Sequence, residues 1–133
     1  ATPEETEALG AELASSAKPG DIFLLSGELG AGKTTFVRGF LHALDYDKSV
    51  RSPTFGLVQI FETQPPVLHA DLYRVDDPSE LDEAGLTEML DDPERLALVE
   101  WPEMAGDRLP ARTQHLWLEV TPEGRLLYHS GQP

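Results

Sequence analysis

Eight consecutive residues constrain the fold of this chain more than any other feature. Residues 27–34 read Gly-Glu-Leu-Gly-Ala-Gly-Lys-Thr and fit the pattern G-x-x-x-x-G-K-[ST] at every position. An apolar run, residues 21–26, precedes them, and an amphipathic segment, residues 33–44, follows them. A short apolar run is typical of a buried parallel strand, and apolar residues three and four apart are typical of a helix. The sequence therefore predicts a strand, a glycine-rich loop and a helix, in that order.

This arrangement of residues suits the binding of phosphate. Glycine lets the backbone curl so that successive N–H groups point at phosphate oxygens, and the helix N-terminus adds the positive end of its dipole. Lys33 can reach the outer phosphates of a nucleotide, and the Thr34 hydroxyl can bind Mg²⁺. The predicted nucleotide-binding residues of this segment are Gly27, Glu28, Leu29, Gly30, Ala31, Gly32, Lys33, Thr34 and Thr35.

The rest of the chain alternates between helical and extended patterns. Periodicity and turn residues predict, in order, a helix over 3–17, an antiparallel hairpin of strands 55–61 and 67–72, a helix over 78–90 that Gly85 can interrupt, a strand over 96–101, and a closing hairpin of strands 114–120 and 125–129. Early strands that alternate with helices, followed by a hairpin, indicate an α/β fold with a mixed sheet. At this length we expect a single domain over 1–133.

Two carboxylates lie at the ends of apolar strands. Asp71 ends the run 67–71, and Glu100 ends the run 96–100. Because strand carboxyl ends meet at the ligand crevice of an open α/β sheet, both acids can face the phosphates, although each alone is also an ordinary surface carboxylate. One of them would hold Mg²⁺, directly or through water, and the other would orient the attacking water or a phosphate acceptor. The spacing leaves open which acid takes which role.

Several other side chains have two interpretations. Thr54, in the rigid turn 52–55, either senses the γ-phosphate, as switch segments do, or caps the next strand. His69 shares a strand face with the first of the two acids and either supports the site or, more commonly, fills the core. Trp101 follows the second acid and points to the opposite side of its strand, where it can serve the core, a base-stacking surface or a partner contact. Trp117 is predicted in the core.

Composition excludes several classes of function. The 133 residues carry 24 Asp and Glu against 10 Lys and Arg, a formal charge of −14, so we expect no direct contact between the isolated domain and nucleic acid. The absence of cysteine excludes disulfides, thiolate nucleophiles and Cys-based zinc sites. No apolar run approaches the ~18 residues of a membrane span. Because asparagine is also absent, the guanine-reading N-K-x-D motif cannot occur, which favours ATP over GTP.

The negative charge is concentrated in one part of the chain. Residues 71–107 carry 13 acidic side chains and two basic ones, whereas the loop segment around residue 33 is locally basic. Like charges at this density repel one another unless water or an opposite charge surrounds them. We therefore expect the acidic segment either to stay solvated or to meet a basic patch on a partner protein.

Four motifs follow one another in a fixed order. They are the loop and its continuation at 27–36, Ser-Pro-Thr-Phe at 52–55, His-Ala-Asp-Leu-Tyr-Arg at 69–74 and Val-Glu-Trp-Pro at 99–102. In this order and at these spacings the chain resembles the TsaE family, small bacterial ATPases of threonylcarbamoyladenosine tRNA modification, over nearly its whole length. The resemblance implies a P-loop nucleotide-binding fold with helices flanking a mixed parallel/antiparallel sheet. It also implies ATP hydrolysis in the cytoplasm that supports turnover by the partner proteins TsaD and TsaB.

The resemblance further implies roles for single residues, with ATP and Mg²⁺ as cofactors. Thr34 and Glu100 would hold Mg²⁺, and Asp71 would be needed for hydrolysis. The remaining positions that match functional positions of the family are Thr6, Thr54, Trp101 and Arg125. Thr54 would lie in the switch-like segment, and Thr6 and Arg125 would touch the nucleotide.

Two other functions share the phosphate-binding loop. A small-molecule kinase also needs an acceptor pocket, and this chain is short for a large substrate lid. A non-hydrolysing switch would use ATP binding alone to control docking to a partner. If the chain is an ATPase, we expect slow hydrolysis in isolation, because no residue stands out as an arginine finger, and stimulation by its partners.

Overall fold

The computed structural model describes residues 3–27, 32–46, 58–110, 113–121 and 124–130, with side chains described from 4 to 118 within these ranges. Its helices are α1 (Pro3–Ser16), α2 (Lys33–Ala43), α3 (Ser79–Ala84) and α4 (Leu86–Leu90), with a 3₁₀ turn over Pro102–Ala105. Its strands are β1 (Ile22–Ser26), β2 (Val58–Phe61), β3 (Val67–Asp71), β4 (Leu96–Glu100), β5 (Gln114–Thr121) and β6 (Gly124–Ser130). None of the described helices is long and apolar enough to cross a bilayer.

The six strands form one mixed sheet in the order β2-β3-β4-β1-β5-β6. The four inner strands are parallel, and β2 and β6 pair antiparallel at the two edges. Both predicted hairpins are therefore confirmed, and so is the α/β class with a mixed sheet. Because the inner strands run in one direction, the ends of β1, β3 and β4 meet at one edge, together with the start of α2.

Helices cover both faces of this sheet and bury two apolar clusters. The first cluster joins α1 and α2 to one face, and its fully buried large side chains are Phe23, Leu25, Phe36, Phe40, Leu41, Leu96, Leu98 and Leu116. The second joins α3, α4 and the 3₁₀ turn to the other face through Leu68, Leu72, Leu81 and Leu86. Burying each such side chain contributes roughly 1.5–3 kcal/mol, so the two clusters hold the three layers together.

The predicted helix over 78–90 is two short helices in the structure. Gly85 between them has a φ of 74°, a left-handed conformation that glycine adopts without steric cost. The start of this segment follows the capping pattern of its sequence. The Asp77 Oδ1 accepts the Ser79 N–H at 3.0 Å, and the Glu80 Oε2 accepts the Asp77 N–H at 2.9 Å.

Helices α1 and α2 cross at backbone contact. Gly10 faces the Phe36 carbonyl, and Gly39 faces the backbone of Glu7, so a Cβ atom on either glycine would overlap main-chain atoms. Only glycine allows two helix backbones to approach this closely. The crossing therefore fixes α1 against the helix that begins with Lys33.

Trp117 was predicted in the core, and the structure corrects this. Leu116 and Leu118 on either side of it are buried, whereas Trp117 is half-buried on the opposite face and stacks on His115, with ring centroids 3.9 Å apart. Side chains alternate along a strand, so the two leucines take the core face and leave the tryptophan on the other face.

Candidate functional site

The site is built around the first residue of α2. Gly27, directly after β1, and Gly32, directly before α2, have φ values of 149° and 98°, in a region that favours glycine. They let the chain turn from the end of β1 into the helix, so that Lys33 opens α2 at the sheet edge. The predicted loop residues Glu28, Leu29, Gly30 and Ala31 lie outside the described part of the chain.

The Lys33 ammonium group is held at two points. Its Nζ donates to the Gly27 carbonyl at 2.7 Å and lies 3.9 Å from the centroid of the Trp101 ring. Only 5% of the residue is exposed, and this burial lowers the pKa of Lys33, against the opposing charges of Glu100 and Asp71. The lysine is therefore a partly desolvated cation with two carboxylates nearby, and such a cation interacts strongly with an anion that enters the site.

The two predicted carboxylates lie side by side. Asp71 and Glu100 are register partners at the ends of β3 and β4, on the sheet face that α2 covers. Glu100 is 3% exposed, and Asp71 is half-buried. Burial, followed by the neighbouring charge of Glu100, raises the pKa of Asp71, although a 3.1 Å hydrogen bond from the Tyr73 N–H to its Oδ1 opposes the shift. A half-exposed carboxyl of raised pKa suits proton transfer or the orientation of water.

His69 completes this group of side chains. Its ring is fully buried, and its Nε2 lies 2.6 Å from the Glu100 Oε2. Its second nitrogen, Nδ1, is buried and has no hydrogen-bond partner among the described residues. His69 shares the strand face of Asp71, as predicted, but the sequence left open whether it supports the site or fills the core, and it is not among the predicted site residues. The signal that could have included it is the H-x-D spacing on a strand that runs beside the strand of Glu100.

Trp101 lies where β4 leaves the sheet. Its φ of 56° is left-handed, which is unusual for a non-glycine residue, and its N–H donates to the Leu25 carbonyl at 3.3 Å. It packs against the second cluster, on the side that strand alternation predicts, and against Tyr73, with ring centroids 4.9 Å apart. Because the strand has ended, its ring also reaches Lys33, which alternation alone does not predict.

The other predicted residues vary in their placement. Thr34 and Thr35 are half-buried in the first turn of α2. Thr6 is fully buried in α1, next to Glu7 at the α1–α2 crossing, and no described contact brings it to Lys33. Thr54 lies outside the described residues. The backbone of Arg125 pairs with Val120 in the last hairpin, and its side chain is outside the described part.

The donor chemistry fits Mg²⁺ bound together with a nucleotide. Mg²⁺ prefers oxygen ligands and commonly takes one or two protein side chains, with phosphates and water completing its octahedron. The described edge supplies the carboxylates of Asp71 and Glu100 and the first turn of α2, which carries Thr34. No cluster of three or more His, Asp or Glu side chains able to hold a metal by itself occurs among the described residues. The two carboxylates, with a threonine in the first turn of α2, suit a metal that arrives with phosphate.

Comparison with known proteins identifies relatives of the chain. The family profile described as "Threonylcarbamoyl adenosine biosynthesis protein TsaE" matches residues 1–126. The tRNA threonylcarbamoyladenosine biosynthesis protein TsaE of Bacillus subtilis is 42% identical over 109 residues, which cover 81% of this chain and 67% of that protein. The protein of the same name from Rickettsia felis is 41% identical over 126 residues, which cover 93% of this chain and 72% of that protein. The crystal structure of Bacillus subtilis YdiB aligns with a TM-score of 0.80 at 30% identity, covering 100% of this chain and 82% of that one.

Proposed function

The chain belongs to the TsaE family of tRNA threonylcarbamoyladenosine biosynthesis proteins, and from this premise we propose that it binds ATP with Mg²⁺ and hydrolyses the ATP. The observation that carries the proposal is the convergence of a buried lysine at a helix N-terminus with two carboxylates in register. The family's part in tRNA modification supports a cytoplasmic site of action, with TsaD and TsaB as partners whose turnover ATP hydrolysis assists.

Each residue of the edge has a proposed task. Lys33 and the N-terminus of α2 bind the β- and γ-phosphates. Thr34 and Glu100 would hold Mg²⁺, which, when bound, neutralises charge on the phosphate oxygens. Asp71 orients the attacking water and takes up its proton, a task that its raised pKa suits. The Trp101 ring packs beside Lys33 and limits the access of solvent to the ammonium group.

The proposal also concerns the partners. We expect the isolated protein to hydrolyse ATP slowly and the TsaB–TsaD pair to accelerate it, because a cationic residue supplied in trans contributes roughly 10³–10⁵-fold in related phosphoryl transfers. The partners, rather than this acidic chain, would contact the tRNA.

The deciding experiment measures phosphate release from ATP by the full chain, alone and with TsaB and TsaD, with and without Mg²⁺. We expect Mg²⁺-dependent release that the partners stimulate and that the Lys33→Met and Asp71→Asn variants lose. Release of ADP that depends on an added small-molecule acceptor would instead indicate a kinase. If the Asp71→Asn variant still binds ATP and its partners and still supports tRNA modification, hydrolysis is not the function and the chain is an ATP-dependent docking switch.

A further inference from the structure

We propose that His69 is a positioning residue that holds the Glu100 carboxylate in the orientation required to bind Mg²⁺. This inference rests on the proposed function, since it assumes that Glu100 is a ligand of the metal. It assigns to His69 no contact with the nucleotide, the metal or the reacting water. The residue acts only through the carboxylate beside it.

The geometry places the imidazole where it fixes one carboxylate oxygen. An ionised carboxylate can only accept a hydrogen bond, so His69 donates from Nε2 to the Glu100 Oε2, over 2.6 Å. The two side chains come from neighbouring parallel strands and are almost completely shielded from water, with exposures of 0% and 4%. Among the described residues, Glu100 Oε1 accepts no hydrogen bond. One oxygen is thus occupied and the other remains for a different ligand.

The unpartnered ring nitrogen argues against a purely structural role. Within the part of the chain that the structure describes, the Nδ1 of His69 is buried without a hydrogen-bond partner, and a buried polar atom in that state destabilises the fold. Val67, two residues earlier on the same face of β3, is fully buried and apolar, so an aliphatic side chain would suit position 69 better. A histidine at this position therefore leaves one buried nitrogen without a described partner, and the described hydrogen bond that it forms is the one to Glu100.

Metal chemistry supplies the reason for such an arrangement. Carboxylates that bind metals are usually oriented by an outer hydrogen-bond donor, and loss of that donor typically weakens metal affinity about 10–100-fold. Without the imidazole, no described hydrogen bond would hold the Glu100 Oε2, and the carboxylate could rotate out of the orientation that the metal requires. Loss of the imidazole should therefore weaken metal binding more than nucleotide binding.

The test measures metal affinity rather than activity. Mn²⁺, an EPR-visible substitute for Mg²⁺, is titrated into the full chain saturated with a non-hydrolysable ATP analogue, for the wild type, His69→Leu and His69→Gln. We expect the leucine variant to bind Mn²⁺ about 10–100-fold more weakly. The glutamine variant, whose amide can donate to Glu100, should stay within a few-fold of the wild type. Affinity for the analogue in EDTA should be the same for all three proteins.

The outcomes separate this inference from the proposed function. If the wild type binds Mn²⁺ with the analogue and His69→Leu binds it equally well, the role of His69 is wrong while the proposed function stands. If the wild type binds no Mn²⁺ with the analogue, both are wrong. Weaker binding of the analogue in EDTA by the leucine variant would indicate general damage to the site and would also overturn the positioning role.

A second measurement does not depend on the leucine variant. The ¹⁵N spectrum of the histidine rings in the wild type should contain one ring protonated at Nε2 and unprotonated at Nδ1, and this signal should be missing from His69→Gln. A His69 ring that carries its proton on Nδ1 alone would overturn the proposal, even if the leucine variant failed to fold.

Discussion

Asp71 and Glu100 occupy facing register positions on two parallel strands, so two acidic side chains share one edge of the sheet. In the described ranges, Glu100 lies against a buried hydrogen-bond donor, His69, whereas Asp71 accepts a backbone N–H and reaches solvent. The two acids therefore have different environments, although each is the last residue of its strand. This asymmetry supports the proposed division of roles, with Glu100 as the fixed metal ligand and Asp71 as the group that handles water.

Replacement of Asp71 by Asn should stabilise the fold while it abolishes hydrolysis. Because the pKa of Asp71 is raised above its ordinary value of 3.8, the folded protein binds this proton more tightly than the unfolded chain. The free energy of unfolding therefore falls as the pH rises from that ordinary value through the raised one. The variant should lose this decrease and show a higher Tm than the wild type at pH 7, while phosphate release falls about 10²–10⁴-fold.

The matched control for this variant is Asp91→Asn, at an exposed position at the end of α4. It removes the same charge far from the site and should leave phosphate release unchanged. Calorimetric melting of both variants between pH 3 and pH 8 makes the comparison. An Asp71→Asn protein that melts below the wild type at pH 7 would contradict the raised pKa.

Replacement of Lys33 by Met should weaken ATP binding without loss of the fold. A charge-assisted hydrogen bond to phosphate contributes about 1.5–3 kcal/mol, so the affinity measured by calorimetry should fall roughly 10- to 100-fold. Since burial lowers the pKa of this lysine, an apolar side chain of similar length should not lower the stability at neutral pH. Lys33→Arg should also bind poorly, because a planar guanidinium does not replace a point charge between Gly27 and the Trp101 ring. Wild-type affinity in the Met variant would exclude Lys33 from phosphate binding.

Trp101 should report the movement of the lysine. When the Lys33 amine turns from the indole ring to a phosphate, the ring loses its cation and its fluorescence should change. Trp117→Phe leaves Trp101 as the one tryptophan of the chain, so the signal can be assigned to it. Titration of this variant with ATP should give a saturable change whose midpoint agrees with calorimetry. Lys33→Met added to the same background serves as the control and should remove the change, whereas its persistence would mean that the signal comes from elsewhere.

The sequence predicted the elements of this fold better than their mutual arrangement. Local signals were sufficient for both hairpins, for the strand ends at Asp71 and Glu100, and for the glycine at position 85. Strand order depends on contacts between distant segments, so the place of β1 between β4 and β5 could not be derived from periodicity. The same limit explains why His69 was missed, since its contact with Glu100 joins two neighbouring strands that are distant in the sequence.

The two tryptophans illustrate the limits of alternation. Within a strand, alternation holds, since Trp117 points away from the core face that Leu116 occupies. The sequence alone did not show which face of β5 is the core face. At the strand end alternation gives the correct side for Trp101 but not the contact of its ring with Lys33, which occurs where the backbone turns left-handed. A positive φ at a non-glycine residue has no reliable sequence signal, so this contact was available only from the structure.

The acidic surface of α3 and α4 should matter for docking to the partner proteins. Glu83 and Glu88 are exposed on these helices. Asp82 is exposed too, but it forms a salt bridge with Arg108 over 3.2 Å. Reversal of both glutamates to lysine should therefore change the surface charge without loss of a described contact. If the surface meets a basic patch, affinity for TsaB–TsaD should fall about tenfold, and the loss should shrink at high salt.

The control for the docking test carries the same charge change on the other face of the sheet. Glu4 and Glu12 are exposed on α1, so the double reversal there alters the net charge equally but leaves the α3–α4 surface intact. Surface plasmon resonance with immobilised TsaB–TsaD compares the two. Equal effects from both pairs would mean that only the net charge matters, and no effect from either would mean that the acidic surface stays solvated.

The α1–α2 crossing should be intolerant of a single methyl group. Gly39→Ala improves intrinsic helix propensity by about 1 kcal/mol, so an isolated helix would gain stability. In the protein the new Cβ would overlap the backbone of Glu7, which cannot move aside as a flexible side chain can, and the two helices would have to separate. Overpacking of this kind costs about 1–3 kcal/mol or more, so urea denaturation should show a net loss of stability.

Because α2 begins with Lys33, ATP affinity should fall as well, whereas Ser15→Ala on the exposed side of α1 should change neither quantity appreciably. A Gly39→Ala protein as stable as the Ser15→Ala protein would show that the helices can separate at little cost.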